Sequence, residues 1–252
     1  MKKHFILLLY LLFCTVNAQE FNLNSSLEKP NIIKTNVTGY IARNINLSYE
    51  RSINQWFSIN MGFGLIPEGK VPFINAFLNN EDEKRFHDLQ IKYFHFTIEP
   101  RFYIGQGYGK GFYIAPYYRY SKITSNTFDF SYNYNIGNGM NVELPLQSLG
   151  STHANSGGLM VGVQFFLTQK QNLVLDLWIA GAHYGKVKGD FTLTSNDILL
   201  TPDMQAQLKQ EIEDLDIPFV KYTVETNPNG AAIKVDGPWL GFRTGLSLGY
   251  RF

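Results

Sequence analysis

Residues 239–252, WLGFRTGLSLGYRF, carry the pattern that decides the fold of this chain. Alternate positions divide into a mainly apolar face and a face of glycine, arginine and serine. The first face consists of Leu240, Phe242, Thr244, Leu246, Leu248, Tyr250 and Phe252. Because successive side chains of a β-strand point to opposite faces, a period of two predicts a strand. The chain therefore finishes on a strand with an aromatic last residue.

Seven further segments show the same alternation. They span residues 32–41, 44–51, 56–65, 91–104, 111–123, 156–167 and 172–184. Within 91–104, Phe94 and Phe96 share one face, whereas Glu99 and Arg101 share the other. Alternation sustained over such lengths is the strongest strand signal that a single sequence offers. We therefore expect an all-β chain with eight antiparallel strands.

The predicted strands are joined by alternately short and long connections. Short joints fall at 52–55, 105–110 and 168–171, and long inserts at 66–90, 124–155 and 185–238. The link at 42–43 is an exception, since it is short where the pattern would have a long loop. Short periplasmic turns and longer external loops are typical of outer-membrane barrels. The pattern predicts an up-and-down transmembrane barrel over 32–252, with structured external loops and both termini in the periplasm.

The amino terminus has the parts of a secretory signal. Lys2 and Lys3 precede an uninterrupted apolar run over residues 5–13, followed by small or neutral residues. This order predicts a signal peptide over 1–18, cut after its last residue, and a periplasmic segment over 19–31. The apolar run is shorter than the about 20 residues that a membrane-spanning helix needs.

Composition excludes several classes of protein. The only cysteine, Cys14, lies in the predicted signal, so no disulfide is expected. Phe13 precedes it where lipoprotein cleavage requires a small residue, so no lipid anchor is expected. The formal charge of the whole chain is +1 and no basic patch stands out, so nucleic acid is not an expected partner.

Alternation alone leaves two orientations of the barrel open. A soluble barrel of the lipocalin type would enclose the apolar face, whereas a membrane barrel turns it to lipid. The polar face favours the second, because it is rich in glycine and carries charges of both signs. Lysines fall mainly in predicted joints and loops, such as Lys70, Lys186 and Lys188. The interior is predicted to hold a structural charge network, since buried charges persist chiefly when paired. Its members are Glu50, Glu99, Arg101, Arg119, Asp176, Arg243 and Arg251.

The chain resembles small outer-membrane barrels of the OmpA and OmpX type, and more narrowly a family of single-domain barrels of Gram-negative bacteria. The matching stretches are 34–36 (KTN), 48–51 (SYER) and the closing 241–252. The resemblance implies an outer-membrane location and contact with outer-membrane lipids, and it supplies no activity. It also implies that the barrel-insertion machinery reads the closing strand. The residues of that signal are Leu248, Tyr250 and Phe252.

The last long insert contains a predicted helix and hairpin. Residues 201–203 (TPD) supply a cap, a first-turn proline and an early acid. The apolar stripe that follows consists of Met204, Leu208, Ile212 and Leu215. Residues 221–226 and 231–235 predict a hairpin turned at 227–230. Together with an apolar stripe over 71–78, the helix either packs over the barrel mouth or binds other envelope proteins.

The expected role is structural or accessory and non-enzymatic, with two alternatives open. One is a narrow small-solute porin, although Tyr113, Tyr117, Arg119, Trp178 and Arg243 should fill the interior. The other is a lipid A-modifying enzyme, a deacylase or acyltransferase.

The second alternative rests on His153 and Ser156 at the outer end of a strand. A His–Ser pair needs direct contact and a carboxylate that orients the histidine. The serine of the deacylases lies two residues after the histidine, whereas the spacing here is three.

No cofactor or metal site is expected. His95 beside Glu99 is read as hydrogen-bonded structure, and no cluster has metal-ligand spacing. The acidic residues of the last insert lack the fixed spacing of a calcium loop. Residues 105–109 (GQGYG) resemble a phosphate cradle, but no helix follows, so they predict a hairpin turn.

Overall fold

The computed structural model describes residues 29–70, 89–135, 141–196, 198–214 and 221–252. The predicted signal peptide, most of the predicted periplasmic segment and the stripe at 71–78 lie outside the described residues.

Antiparallel strands dominate the described part of the chain. They are β1 (Asn31–Asn36), β2 (Ile45–Ser52), β3 (Phe57–Lys70), β4 (Gln90–Gly107), β5 (Lys110–Ser125), β6 (Phe128–Asn135), β7 (Asn141–Phe166), β8 (Leu173–Thr194), β9 (Tyr222–Asn227) and β10 (Gly230–Arg251). A 3₁₀ helix, Thr38–Ala42, follows β1, and an α-helix, α1 (Pro202–Glu213), precedes β9. The all-β expectation and the short helix are confirmed.

The sheet is ring-like. Neighbours pair in the order β1-β2-β3-β4-β5-β7-β8-β10, and β1 pairs in turn with β10. In that closing pair Ile32 lies opposite Arg251, and Asn36 lies opposite Ser247. β6 and β9 pair with β7 and β10, respectively, beside the ring. We call the end of the ring where β1 starts and β10 finishes the terminal end, and the opposite end the loop end.

Each segment predicted as a strand lies within a strand or overlaps one, but several boundaries were wrong. The prediction of a strand over 32–41 fails beyond Asn36, where the chain enters the 3₁₀ helix. The Asn36 side chain accepts hydrogen bonds from the Gly39 N–H (2.8 Å) and the Thr38 hydroxyl (2.7 Å). Such local bonds compete with a strand ladder. β1 is therefore short, and the chain turns back through Arg43, whose φ is +58°.

The long inserts predicted at 124–155 and 185–238 are largely strands instead. β7, β8 and β10 extend through them, and β8 and β10 stay paired from Thr194–Gly230 to Leu173–Tyr250. Lys186 and Lys188, predicted in a loop, lie exposed on β8, and Lys70 ends β3. We call the part beyond the ring at the loop end the extension. It consists of residues 141–155, 185–194 and 230–238 with β6, β9 and α1.

The predicted turn at 105–110 is tighter in the structure. β4 continues to Gly107 and β5 begins at Lys110, so Tyr108 and Gly109 alone connect them. Both have positive φ, +53° and +82°, as a two-residue hairpin requires. The hairpin predicted around 227–230 is confirmed by the pairing of β9 with β10.

Candidate functional site

The two faces of the ring differ in exposure. The carboxylates of Glu50, Glu99 and Asp176 are at most 1 % exposed, whereas Phe94 and Phe102 are 37 % and 39 % exposed. Charged side chains therefore point inward and large apolar ones outward. We call the outward set the apolar belt. It comprises Ile33, Leu47, Tyr49, Met61, Phe63, Phe94, Phe96, Phe102, Phe112, Ile114, Tyr118, Leu159, Val161, Leu173, Ile179, Leu240, Phe242, Leu248 and Tyr250.

Two buried cations organise the interior. The Lys34 ammonium donates to Glu50, to Asp176 (2.8 Å) and to the side-chain amide oxygen Oε1 of Gln164 (2.8 Å). The Arg101 guanidinium donates through Nη1 to Asp176 (2.7 Å) and Glu50 (3.1 Å). Lys34 and Arg101 therefore bridge the same two carboxylates from different strands.

The second oxygen atom of each of these carboxylates also accepts hydrogen bonds. Glu50 Oε1 accepts from the hydroxyls of Ser58 and Tyr103, each at 2.6 Å. Asp176 Oδ1 accepts from the Tyr113 hydroxyl at 2.8 Å. A buried ion pair is tolerated only when such additional hydrogen bonds compensate for lost hydration. The network thus holds the ring in one register.

A third carboxylate carries the network toward the loop end. Glu99 Oε2 accepts from Arg101 Nη2 (2.8 Å) and the Asn60 amide (3.0 Å). Its Oε1 lies 2.7 Å from Arg243 Nη1. Arg243 also lies over the rings of Tyr117 and Trp178, 4.6 and 4.7 Å from their centroids. The charge network consists of Lys34, Glu50, Glu99, Arg101, Asp176 and Arg243, in which positive and negative charges balance.

The structure brings together Glu50, Glu99, Arg101, Asp176 and Arg243 of the predicted set and places the other two elsewhere. Arg119 is buried beside Tyr93, to whose hydroxyl it donates at 3.1 Å. Arg251 lies over the Phe166 ring, 4.7 Å from its centroid, near the terminal end.

Lys34 was missed, and the expectation that lysines fall mainly in joints and loops is wrong at this position, which lies buried on β1. The sequence contained a signal for its inward position, because Lys34 has the same parity as Ile32 and Asn36. In the structure all three side chains are buried.

Aromatic side chains fill the middle of the ring. Tyr113 and Tyr117, predicted to do so, pack with Tyr103, Met160 and Trp178. Tyr103 and Tyr113 are in ring contact, with centroids 5.5 Å apart. Since Arg101 lies over the Tyr113 ring at 4.4 Å, the aromatic and charged groups form one packed layer.

A polar cavity of about 280 Å³ lies on the loop-end side of this layer. Asn60, His95, Thr97, Arg119 and Arg243 are among the residues that line it. Several buried atoms there have no hydrogen-bond partner within the described residues. They include Asn44 Oδ1, Asn60 Oδ1, His95 Nδ1, Thr97 Oγ1, Arg119 Nε and Arg243 Nε. Unsatisfied buried polar atoms are rare, so these side chains have spare capacity to bind a ligand.

The structure separates His153 from Ser156. His153 is exposed on the outer face of β7, opposite Lys122 and Lys188. Ser156 is 3 % exposed on the inner face, where its hydroxyl donates to the Arg119 carbonyl oxygen at 3.2 Å. Residues three apart on a strand lie on opposite faces. This pair therefore cannot act as a catalytic dyad.

The two buried histidines, His95 and His183, lie in polar surroundings. The His183 ring nitrogen Nδ1 is 3.0 Å from the Tyr117 hydroxyl, and the His95 ring packs against Tyr93 with centroids 5.4 Å apart. Within the described ranges, no group of three or more His, Cys, Asp or Glu is placed to hold a metal ion.

The apolar stripe of α1 packs against other residues of the same chain. Thr201 caps the helix, and Leu208 and Ile212 are buried. Their cluster includes Leu146, Leu193, Leu200, Val224 and Ala231, with Met204 packed against it. Leu208 and Ile212 are therefore covered by the chain itself, because the extension provides their partner surface. Leu215 lies outside the described residues.

The predicted insertion-signal residues lie on the outer face at the terminal end. Leu248, Tyr250 and Phe252 are all exposed, and the rings of Tyr250 and Phe252 stack with centroids 6.4 Å apart.

No protein-family model matches the chain, and no curated protein matches it significantly. Among the helices that the structure describes, none is both long enough and apolar enough to cross a membrane.

Proposed function

We propose that the chain is an eight-stranded transmembrane β-barrel of a Gram-negative outer membrane, with a structural or accessory role rather than an enzymatic one. The observation that carries the proposal is the inverted burial of the ring, with the charge network inside and the apolar belt outside. In water, a continuous apolar surface of this kind would drive association. Against acyl chains it is the stable arrangement.

The edges of the apolar belt support a membrane-sized band. At the terminal end, Trp56 is exposed and stacks on Phe102 with centroids 6.0 Å apart, as an aromatic girdle would. At the loop end, the outward positions change from aromatic to lysine on three strands. The successive outward residues are Phe94 and Lys92 on β4, Tyr120 and Lys122 on β5, and Tyr184 and Lys186 on β8.

Strand length supports an accessory role outside the membrane. A transmembrane strand needs about 9–11 residues, whereas β8 and β10 have 22 residues each. Roughly half of each strand therefore belongs to the extension, which has its own apolar cluster around Leu208. A folded, paired sheet held clear of the membrane offers a rigid surface to other envelope proteins.

The filled interior argues against the porin alternative. The charge network and the packed Tyr103, Tyr113 and Tyr117 rings occupy the cross-section of the ring. Eight strands leave an interior that side chains just fill. The chain is therefore expected to show no conductance above background.

Fractionation and conductance test this proposal together. The full chain, expressed in a Gram-negative host, should fractionate with the outer membrane, and its gel mobility should change on boiling. In planar bilayers the extracted protein should give no channel steps, and the mass of lipid A in expressing cells should be unchanged. Recovery in the soluble periplasm would contradict the membrane assignment. Reproducible channel steps would favour the porin alternative, and a shifted lipid A mass would favour the enzyme.

A further inference from the structure

Among the described strands, the pairing around the ring is interrupted at one place near the loop end. β1 pairs with β10 only from Ser247 to Arg251, and β9 pairs with it only from Gly230 to Val235. Between these stretches, at residues 239–244, no described strand pairs with the edge of β10 that faces away from β8. The cause is the early end of β1 at Asn36. We call this gap the slot.

The polar cavity reaches the outer surface. Its lining includes inward residues such as Thr97 and Arg243, and also Leu47, Phe63 and Phe242 of the apolar belt. Phe242, on the edge strand of the slot, is 90 % exposed. Because Phe242 and Thr244 of the slot edge are among the lining residues, the cavity extends to the wall of the ring beside β10.

The cavity has an excess of positive charge. The carboxylate of Glu99 also lines it, but Arg101 and Arg243 neutralise that carboxylate. Within the described residues, Arg119 has no carboxylate within 4.0 Å, and its contact is the neutral Tyr93 hydroxyl. A buried arginine that lacks a counter-ion is costly unless an anion completes the site.

The donors match one class of ligand. Nε of Arg119 and Nε of Arg243 are buried and have no partner among the described residues, and the Thr97 hydroxyl, in a residue 3 % exposed, is also unpartnered. Arginine forks and hydroxyls together bind phosphate and carboxylate oxygens. The Asn60 Oδ1 atom can accept from a ligand hydroxyl or a protonated phosphate oxygen.

We propose that this cavity binds a phosphate-type anionic group, held by Arg119 and Arg243, and that an attached apolar chain leaves through the slot. The slot opens among belt residues, so an amphiphile in the outer leaflet would reach the cavity sideways. Only this access route rests on the membrane orientation proposed above. The anion site itself rests on the cavity and its unpartnered donors.

Calorimetric titration of the folded protein in nonionic detergent tests the site. The probes are inorganic phosphate and dodecyl phosphate, which differ only by the apolar chain. Both should bind saturably. Tighter binding of dodecyl phosphate identifies an amphiphile headgroup as the ligand source, and equal binding identifies a free anion.

Matched variants assign the binding to the cavity. Arg119→Gln should weaken binding about 10- to 100-fold, the range for loss of a charged hydrogen bond. Thr97→Val should weaken it less while leaving the fold intact, since its hydroxyl has no partner to lose. Arg51→Gln is the control, because Arg51 is exposed near the terminal end, where it contacts Asn31.

Each sample is first checked for heat-dependent gel mobility. Folded wild-type protein that binds neither probe saturably overturns the anion site and leaves the barrel proposal standing. Equal affinities of the Thr97→Val and Arg51→Gln variants and of the wild-type protein would also overturn it. Absence of the mobility change in the wild-type protein contradicts the barrel proposal instead.

Discussion

At the scale of single residues, the molecule is defined by where it keeps its charges. Lys34 and Arg101 share Glu50 and Asp176 next to the aromatic layer that fills the middle of the ring. Replacing such a pair as a unit with apolar residues can be neutral, but removing one partner leaves an uncompensated charge. Each member of the charge network is therefore held in place by the others.

The variant Asp176→Asn tests this mutual dependence. It removes the negative charge that Lys34 and Arg101 both contact, so the free energy of unfolding should fall by about 3–5 kcal/mol. Urea titration followed by the loss of heat-dependent gel mobility measures the change. Asp190→Asn, on the exposed face of the same strand, should stay within about 0.5 kcal/mol of wild type. Equal stability of the two variants would show that the network is not a stabilising unit.

At the scale of elements, the kinds of side chain that a strand turns inward and outward change along its length. Within the belt, β8 turns Asp176 inward, whereas in the extension it turns Val187 and Leu193 inward and Lys188 outward. The register shift opposite Val161 and Gly162 changes which alternate positions of β8 point inward. One strand therefore presents an apolar outer face in the belt and a lysine-bearing outer face in the extension.

An arginine placed in the belt tests the lower half of these strands. Ile98 has the outward parity of Phe96 and lies near the middle of the belt stretch of β4. Ile98→Arg should lower the free energy of unfolding in lipid vesicles by about 2–4 kcal/mol. The matched change Thr192→Arg, on the exposed face of β8 in the extension, should have little effect. Small and equal effects of the two changes would mean that the belt faces water.

The extension should unfold separately from the ring. Leu208 is fully buried between α1 and the strands, so Leu208→Ala should destabilise this part by about 2–5 kcal/mol. Limited proteolysis should then cut the extension faster, while the heat-dependent gel mobility of the ring is unchanged. Gln210→Ala, on the exposed side of the same helix, is the control. Simultaneous loss of both signals would mean that ring and extension form one cooperative unit.

At the scale of the whole molecule, the sequence predicts the ring better than the site. Alternation correctly assigns Phe94 and Glu99 to opposite faces, because the outer face of this strand is apolar and its inner face is polar. It loses β8 beyond Tyr184, since there the outward residues become Lys186 and Lys188 while the inward ones become apolar. Lys34 was placed in the first predicted strand, where parity could have indicated it, but it was not counted among the network residues. The cavity was not predictable, because it depends on the local hydrogen bonds of Asn36 that end β1.

Two further features, the apolar stripe of α1 and the position of Arg119, were predicted only in part from the sequence. The stripe of α1 was correctly expected to be apolar, but only the positions of Leu193 and Val224 reveal that the chain itself covers it. Conversely, Arg119 was expected in an ion network and instead borders the cavity beside Tyr93. In both cases the deciding partner is remote in sequence.

The central claim is that the outer face of the ring contacts acyl chains, and quenching by brominated lipids tests it most directly. Trp56, Trp178 and Trp239 are first replaced by phenylalanine, and a single tryptophan is then placed at Phe96 in the belt or at Glu225 in the extension. In vesicles of lipids brominated along their acyl chains, the fluorescence of the Phe96→Trp protein should be strongly quenched, and that of the Glu225→Trp protein should not. Equal and weak quenching at both positions would contradict a membrane-spanning barrel.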